Sequence, residues 1–313
     1  MRLPRSIRMP PGQAGIWHLT SRCVRRARLL ETPGGRVWLS GACAAWFDLL
    51  AVDLLGYALM GNHLHLVVRT RPDVAKGWDA AEVRRRLAAM GRVHDGRPVP
   101  VDGAQARSDD VGVVEGRRLL AHPGAMLAAV KEGFARRLNQ ADGTAGHVWE
   151  GRYHDVALVD AGAVLACLVY VDLNPLRAGL VEDPALSTFC SARHRRGVDA
   201  AAEDAPLARC LAPLGGHPLL DADGREEGSW AWDAAAVAEL TAATARTLRD
   251  PAATLPTWAE DLFPRLGLNR ACWTERMGVG GAVAGSVLGR VESRRRYAGV
   301  GRLPSDKSGW FVS

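Results

Sequence analysis

Apolar and polar residues alternate over residues 15–23 (Gly-Ile-Trp-His-Leu-Thr-Ser-Arg-Cys), the two-residue period of a half-buried strand, and the segment ends in a basic turn. Residues 36–52, rich in Ala, Leu, Val and Trp, predict a helix with Ser40 as a candidate start. The clearest strand is 55–69, Leu-Gly-Tyr-Ala-Leu-Met-Gly-Asn-His-Leu-His-Leu-Val-Val-Arg. A helix follows over 79–90, and 91–112 holds Gly, Pro and Asp without periodicity, so it reads as a loop or insertion. A second helix is expected over 121–139 and a Gly-punctuated strand over about 146–158. Asp160 can cap a helix over 161–173 that stops near Asn174-Pro175, because the residue before proline disfavours helical dihedrals. Helices recurring between strands predict an α+β sandwich.

The region beyond this pattern differs in kind. Residues 196–235 are acidic and rich in Ala, Pro and Gly, which predicts a linker after a first domain of residues 1–195. Residues 236–313 read as a mainly helical C-terminal extension with a Gly-rich patch at 278–285 and a basic tail around Arg294, Arg295 and Arg296. No internal repeat is present.

Composition narrows the class. The 313 residues are 48% hydrophobic and 24% charged, an ordinary globular balance that excludes wholesale disorder and collagen-like structure. No apolar stretch reaches the ~18 residues of a membrane span. The first residues lack the apolar run of a secretory signal, so a soluble, cytoplasmic protein is expected. Cysteines 23, 43, 167, 190, 210 and 272 never fall in a C-x-x-C spacing, which argues for scattered reduced thiols. The net charge of +6 is unevenly spread. Positions 1–30 carry seven arginines and no acid, whereas 199–261 carry twelve acids against four bases. Lysine occurs only at Lys76, Lys131 and Lys307, so the basic charge is arginine, the side chain whose planar donor fork suits phosphate and stacks on bases.

The candidate chemistry starts with His63 and His65. Two apart on a strand, they share one face, and Leu64 and Leu66 turn to the other, into a core. Two neutral imidazoles on a rigid strand can hold a divalent ion with positions left open, although the same spacing describes polar residues on a half-exposed strand. Tyr170 and Asn174 are four apart on the expected helix, hence one turn apart on one face. Such a pair suits a phenol that attacks a phosphodiester beside an amide, and equally a buried aromatic followed by a helix-ending Asn. Of the other tyrosines, Tyr57 on the same continuous strand would lie roughly 20 Å from His63. Tyr297 sits in the arginine cluster, and Tyr153, between Arg152 and His154, could line the site.

Gly61-Asn-His-Leu-His-Leu-Val-Val68 resembles the histidine–hydrophobic–histidine (HUH) motif of single-tyrosine, single-strand DNA transposases. Gly146-His-Val-Trp-Glu-Gly-Arg-Tyr153 and Tyr170-Val-Asp-Leu-Asn-Pro-Leu-Arg-Ala-Gly-Leu180 resemble later blocks of the REP-associated tyrosine transposase (RAYT) branch. Trp17-His-Leu-Thr-Ser-Arg22 is similar in type to its first strand. The four blocks stand in family order over about residues 10–190. Two departures are Cys23, where the family usually has Gly, and an insertion at about 91–125.

The resemblance implies a ferredoxin-like α+β sandwich whose central antiparallel sheet carries the HUH strand. It implies Tyr170 as nucleophile, and His63, His65 and Asn174 as ligands of Mg²⁺ or Mn²⁺. The implied reaction is cutting and rejoining of hairpin single-stranded DNA through a 5′-phosphotyrosine, and the branch is expected to act as a monomer. Arg22, Arg152 and Arg177 are the candidate phosphate contacts. Because the covalent link conserves the bond energy, no nucleotide cofactor is needed, and no Walker loop is present. A histidine-triad hydrolase would need a third His where Val67 stands. The remaining alternative is a domesticated protein that binds hairpin DNA without cutting it.

Overall fold

The computed structural model describes residues 9–100, 110–197, 205–214, 218–220, 226–229, 232–250, 252–268, 270–278, 287–290 and 293–294. Arg295, Arg296, Tyr297, nearly all of the Gly-rich patch, residues 101–109 of the insertion, and Arg2, Arg5 and Arg8 lie outside the described residues.

In chain order the elements begin with β1 (Gly15–Arg22), α1 (Gly35–Phe47), β2 (Val52–Leu59) and β3 (His63–Thr70). Next come α2 (Pro72–Gly77), α3 (Ala80–Gly91), the short pair β4 (Val93–His94) and β5 (Arg97–Pro98), α4 (Asp110–Leu120) and α5 (Gly124–Asp142). They are followed by β6 (His154–Leu158), α6 (Ala161–Asp172), α7 (Asn174–Arg177) and α8 (Ser191–Arg195). The C-terminal part contributes β7 (Pro218–Leu220), β8 (Glu226–Ser229), α9 (Ala234–Thr247), α10 (Thr257–Arg265), α11 (Arg270–Met277) and β9 (Val287–Leu288).

The main sheet runs β2-β3-β1-β6-β9, antiparallel except at the β6–β9 edge. Its first four strands, with α1 after β1 and α5 before β6, have the order of a ferredoxin-like sandwich, and β3 lies inside the sheet between β2 and β1. Both faces are covered. Trp17, Leu19, Leu64, Leu66 and Val68 pack in one core with Trp46 of α1 and Phe134 of α5. Ile16, Val67 and Val156 pack in a second core with α6 and with Leu240, Phe263 and Trp273 of α9 to α11. Every α6 residue from Gly162 to Asp172 is buried, as befits a helix that is apolar all round and sandwiched between sheet and C-terminal helices. The described C-terminal helices therefore sit on the same core as the sheet. Asp160 caps α6 by accepting from Ala163 N at 2.8 Å, while its second oxygen accepts from Arg290 N at 2.7 Å, just past β9.

Three expectations are corrected. The apolar run 55–69 is not one strand but the greater part of a hairpin, β2 and β3 joined by Gly61-Asn62, with Met60 N donating to His63 O at 2.9 Å. Leu54 pairs with Val68 and Gly56 with Val67, so Leu55 is the extra residue of a bulge. The hairpin register sets Tyr57 opposite Leu66, buried in the core with it and across the sheet from the His63 face. The helix expected over 121–139 is α5 and starts only at Gly124, because Pro123, which has no N–H to continue a helix, caps it and separates it from α4, a helix that falls in the stretch expected as an insertion. The strand expected over 146–158 is regular only from His154. Before it Trp149 makes a single bridge to Cys23 and turns into the core, its Nε1 donating to Lys131 O at 2.8 Å. Tyr153 is buried in that same core, so it does not line the histidine face.

Candidate active site

Strand pairing sets the floor of the site. Arg22 stands opposite His63, Thr20 opposite His65, and His18 opposite Val67. Cross-strand and diagonal partners share a face, so two strands place three imidazoles and one guanidinium on the side turned toward α6. The rings of His63 and His65 are 4.7 Å apart and nearly perpendicular. His18 and His65 stack at 5.0 Å with 11° between their planes, and His18 Nε2 lies 2.8 Å from His65 Nδ1.

The helix supplies the other wall. Tyr170 lies edge-on to the histidines, its ring 5.9 Å from that of His65 and 6.2 Å from that of His18. One turn on, Asn174 donates from Nδ2 to Tyr170 O at 2.8 Å, and its side chain lies beside His63. Arg177 extends over the Tyr170 ring with its guanidinium carbon 4.5 Å from the centroid. Its Nε donates to Gly278 O at 3.0 Å, so the end of α11 helps hold that arginine. Arg22 is exposed at the end of β1, where Glu150 N donates to Arg22 O at 2.9 Å. Arg152 is exposed on the same loop, at that end of the sheet.

Burial decides the charge of the imidazoles. It pushes His18 down to about 3, with His63 adding to the effect. It pushes His63 down to about 4, aided by Arg22 and Arg177 and opposed by the neighbouring Asn174 amide. His65, 4% exposed, is held well below the ordinary histidine value, first by burial and then by His63, His18 and the two arginines. All three are neutral at neutral pH and present lone pairs.

Two residues of this arrangement escaped the sequence reading. Asn62 Nδ2 donates to Arg26 O at 2.9 Å, which turns its Oδ1 to His63 Nδ1 at 2.6 Å. The oxygen can only accept, so His63 carries its proton on Nδ1 and keeps Nε2 as a lone pair. The carbonyl it grips belongs to a turn in which Arg25 and Arg26 have φ of 53° and 55°. His18 is the second. Its place in the alternation of β1 sets it opposite in sense to Trp17 and Leu19, but only the pairing of β1 with β3 shows which histidine it meets.

No protein-family model and no curated protein matches the chain. Among solved structures it is similar to a REP-associated tyrosine transposase bound to a REP hairpin, at 15% identity over 61% of this chain and 85% of that one, with a TM-score of 0.35. An overlap that loose transfers no residue's role.

Among the described residues no group of three or more His, Cys, Asp or Glu side chains is disposed to hold a metal ion. The set here is two imidazoles and an amide, and its chemistry fits a divalent cation. His65 Nε2 is buried without a hydrogen-bond partner, His63 Nε2 carries no proton, and Asn174 spends Nδ2 on the helix and keeps Oδ1. No helix among the described residues is long and apolar enough to cross a membrane. Cys23, Cys43, Cys167, Cys190 and Cys210 are free thiols.

Proposed function

We propose that this chain is a metal-dependent single-strand DNA endonuclease and strand transferase that cuts and rejoins hairpin DNA through Tyr170. The observation that carries the reading is the meeting of Tyr170 with His63, His65 and Asn174 at one point between β3 and α6, although they come from segments a hundred residues apart. The substrate class comes from the sequence resemblance, with which hairpin binding by the structural neighbour agrees.

In this reading His63, His65 and Asn174 hold Mg²⁺ or Mn²⁺, which when bound polarises the scissile phosphate and offsets the charge that develops on its oxygens. Tyr170 attacks phosphorus, the bond to the 3′ oxygen breaks, and the products are a 5′-phosphotyrosine and a free 3′-hydroxyl. A second 3′-hydroxyl reverses the step and regenerates the phenol, with no nucleotide consumed. In the same reading Arg177, which lies over the Tyr170 ring, and Arg22, opposite His63, hold phosphate oxygens beside the nucleophile.

The test is covalent trapping. Labelled single-stranded hairpin DNA is mixed with the protein and Mg²⁺ or Mn²⁺ and run on a denaturing gel beside Tyr170→Phe and His63→Ala. An adduct that survives SDS and vanishes in both variants is expected. An adduct that persists in Tyr170→Phe overturns the nucleophile, and tight hairpin binding without any adduct turns the reading into that of a non-cutting DNA-binding protein.

A further inference from the structure

We propose that His18 is a positioning residue for the metal site: it accepts the Nδ1 proton of His65 and thereby keeps the Nε2 lone pair of His65 available to the ion. The inference rests on the reading of His65 as a ligand and adds a residue that the reaction itself does not name.

His18 Nε2 and His65 Nδ1 are 2.8 Å apart with nearly parallel ring planes and both rings are buried, so one proton lies between the two nitrogens. If His18 donates, His65 is left with a proton on Nε2 and cannot ligate. If His65 donates, its Nε2 is a lone pair and His18 carries its own proton on Nδ1. The two far nitrogens, His18 Nδ1 and His65 Nε2, are both buried without hydrogen-bond partners. Each arrangement therefore leaves one N–H and one lone pair unsatisfied, and hydrogen bonding within the pair does not choose between them. A cation does, because it satisfies only the lone pair on His65 Nε2. The neighbouring ligand is treated in the same way by a different group, since Asn62 Oδ1 holds the proton of His63 on Nδ1. Both imidazoles are thus backed by an acceptor, the arrangement that orients metal-bound histidines and strengthens them as ligands. A residue that only filled space at position 18 would not need an acceptor at Nε2.

The experiment uses the full chain and has two readouts. Mn²⁺ binding is measured by electron paramagnetic resonance for wild type, His18→Gln and His18→Leu, with circular dichroism to confirm that each is folded. His18→Leu is expected to bind Mn²⁺ about 10- to 100-fold more weakly, and His18→Gln, whose amide oxygen can accept the same bond, to recover part of the loss. In the Mg²⁺-loaded wild type, ¹⁵N spectra should show His18 protonated at Nδ1 and bare at Nε2. The reverse pattern, or a folded His18→Leu with wild-type Mn²⁺ affinity, overturns the role of His18 while leaving the metal reading in place. A wild type that binds neither ion overturns the metal reading, and the role of His18 falls with it.

Discussion

The buried pair Asp172 and Arg195 offers a direct test of how α6 is held. Asp172, two residues beyond Tyr170, is fully buried, and the Arg195 side chain is 4% exposed. Asp172 accepts from Ser191 Oγ at 2.5 Å and from Arg195 Nη1, while Arg195 Nη2 donates to Leu55 O, at the bulge of β2. One guanidinium therefore ties α6 and α8 to the sheet. Replacing Asp172 by Asn keeps the shape and the bond to Ser191 but strands a buried cation. Breaking one side of such a pair costs about 3–5 kcal/mol, against a whole-domain stability of roughly 5–15 kcal/mol. Urea unfolding should show Asp172→Asn lowered by that amount with an unchanged slope. The double variant Asp172→Leu with Arg195→Met should be more stable than Asp172→Leu alone, since it removes both desolvation penalties. A loss under about 1 kcal/mol, the range of exposed pairs, would refute the argument by showing that water reaches Arg195.

Other expectations follow from the same geometry. Trp273 is buried, packs 4.5 Å from Phe263 and donates to Thr244 Oγ1 at 3.0 Å, so Trp273→Ala should cost about 3–5 kcal/mol in urea unfolding. A negligible cost would mean that the C-terminal helices are not part of the core. Gly133 has room for no side chain, since a Cβ would lie 2.7 Å from the backbone of Gly96; Gly133→Ala should destabilise by about 1–3 kcal/mol in the same assay. Asn62→Ala removes the acceptor on His63 Nδ1 and should weaken Mn²⁺ binding about 10- to 100-fold by paramagnetic resonance. The metal-free protein should lose stability in acid. His63 and His18 have folded values lowered to about 4 and about 3, so below the ordinary histidine value the unfolded chain binds more protons. Their stabilisation is complete above about pH 6.5 and drains as pH falls toward those values, by up to about 1.4 kcal/mol per group per pH unit. Equal urea midpoints at pH 7.5 and pH 5 in EDTA would contradict the neutral, buried imidazoles.

What the chain alone determined is whatever depends on near neighbours. The period of two around His63 and His65 sets both imidazoles on one face and Leu64 and Leu66 on the other, whatever surrounds the strand. Asp160 starts α6 through capping, and the spacing of four puts Asn174 under Tyr170, where its amide meets the Tyr170 carbonyl, although the residue before Pro175 is helical in α7 and proline sterics do not end the helical path. The α+β pattern of alternating strands and helices was legible for the same reason.

What only the tertiary structure decided is everything set by pairing and packing across the chain. Continuous apolarity cannot distinguish one strand from two joined by Gly61-Asn62, because both bury the same residues. The hairpin is what removes Tyr57 to the other core. His18 reads as one more polar residue in an alternating strand until β1 pairs with β3 and sets it beside His65. Arg177 looks like a surface charge until Gly278, a hundred residues on, fixes it over Tyr170. Local pattern fixes which way a side chain points on its own element, whereas the partner it meets is chosen by strand order and register, which depend on the packing of the whole chain.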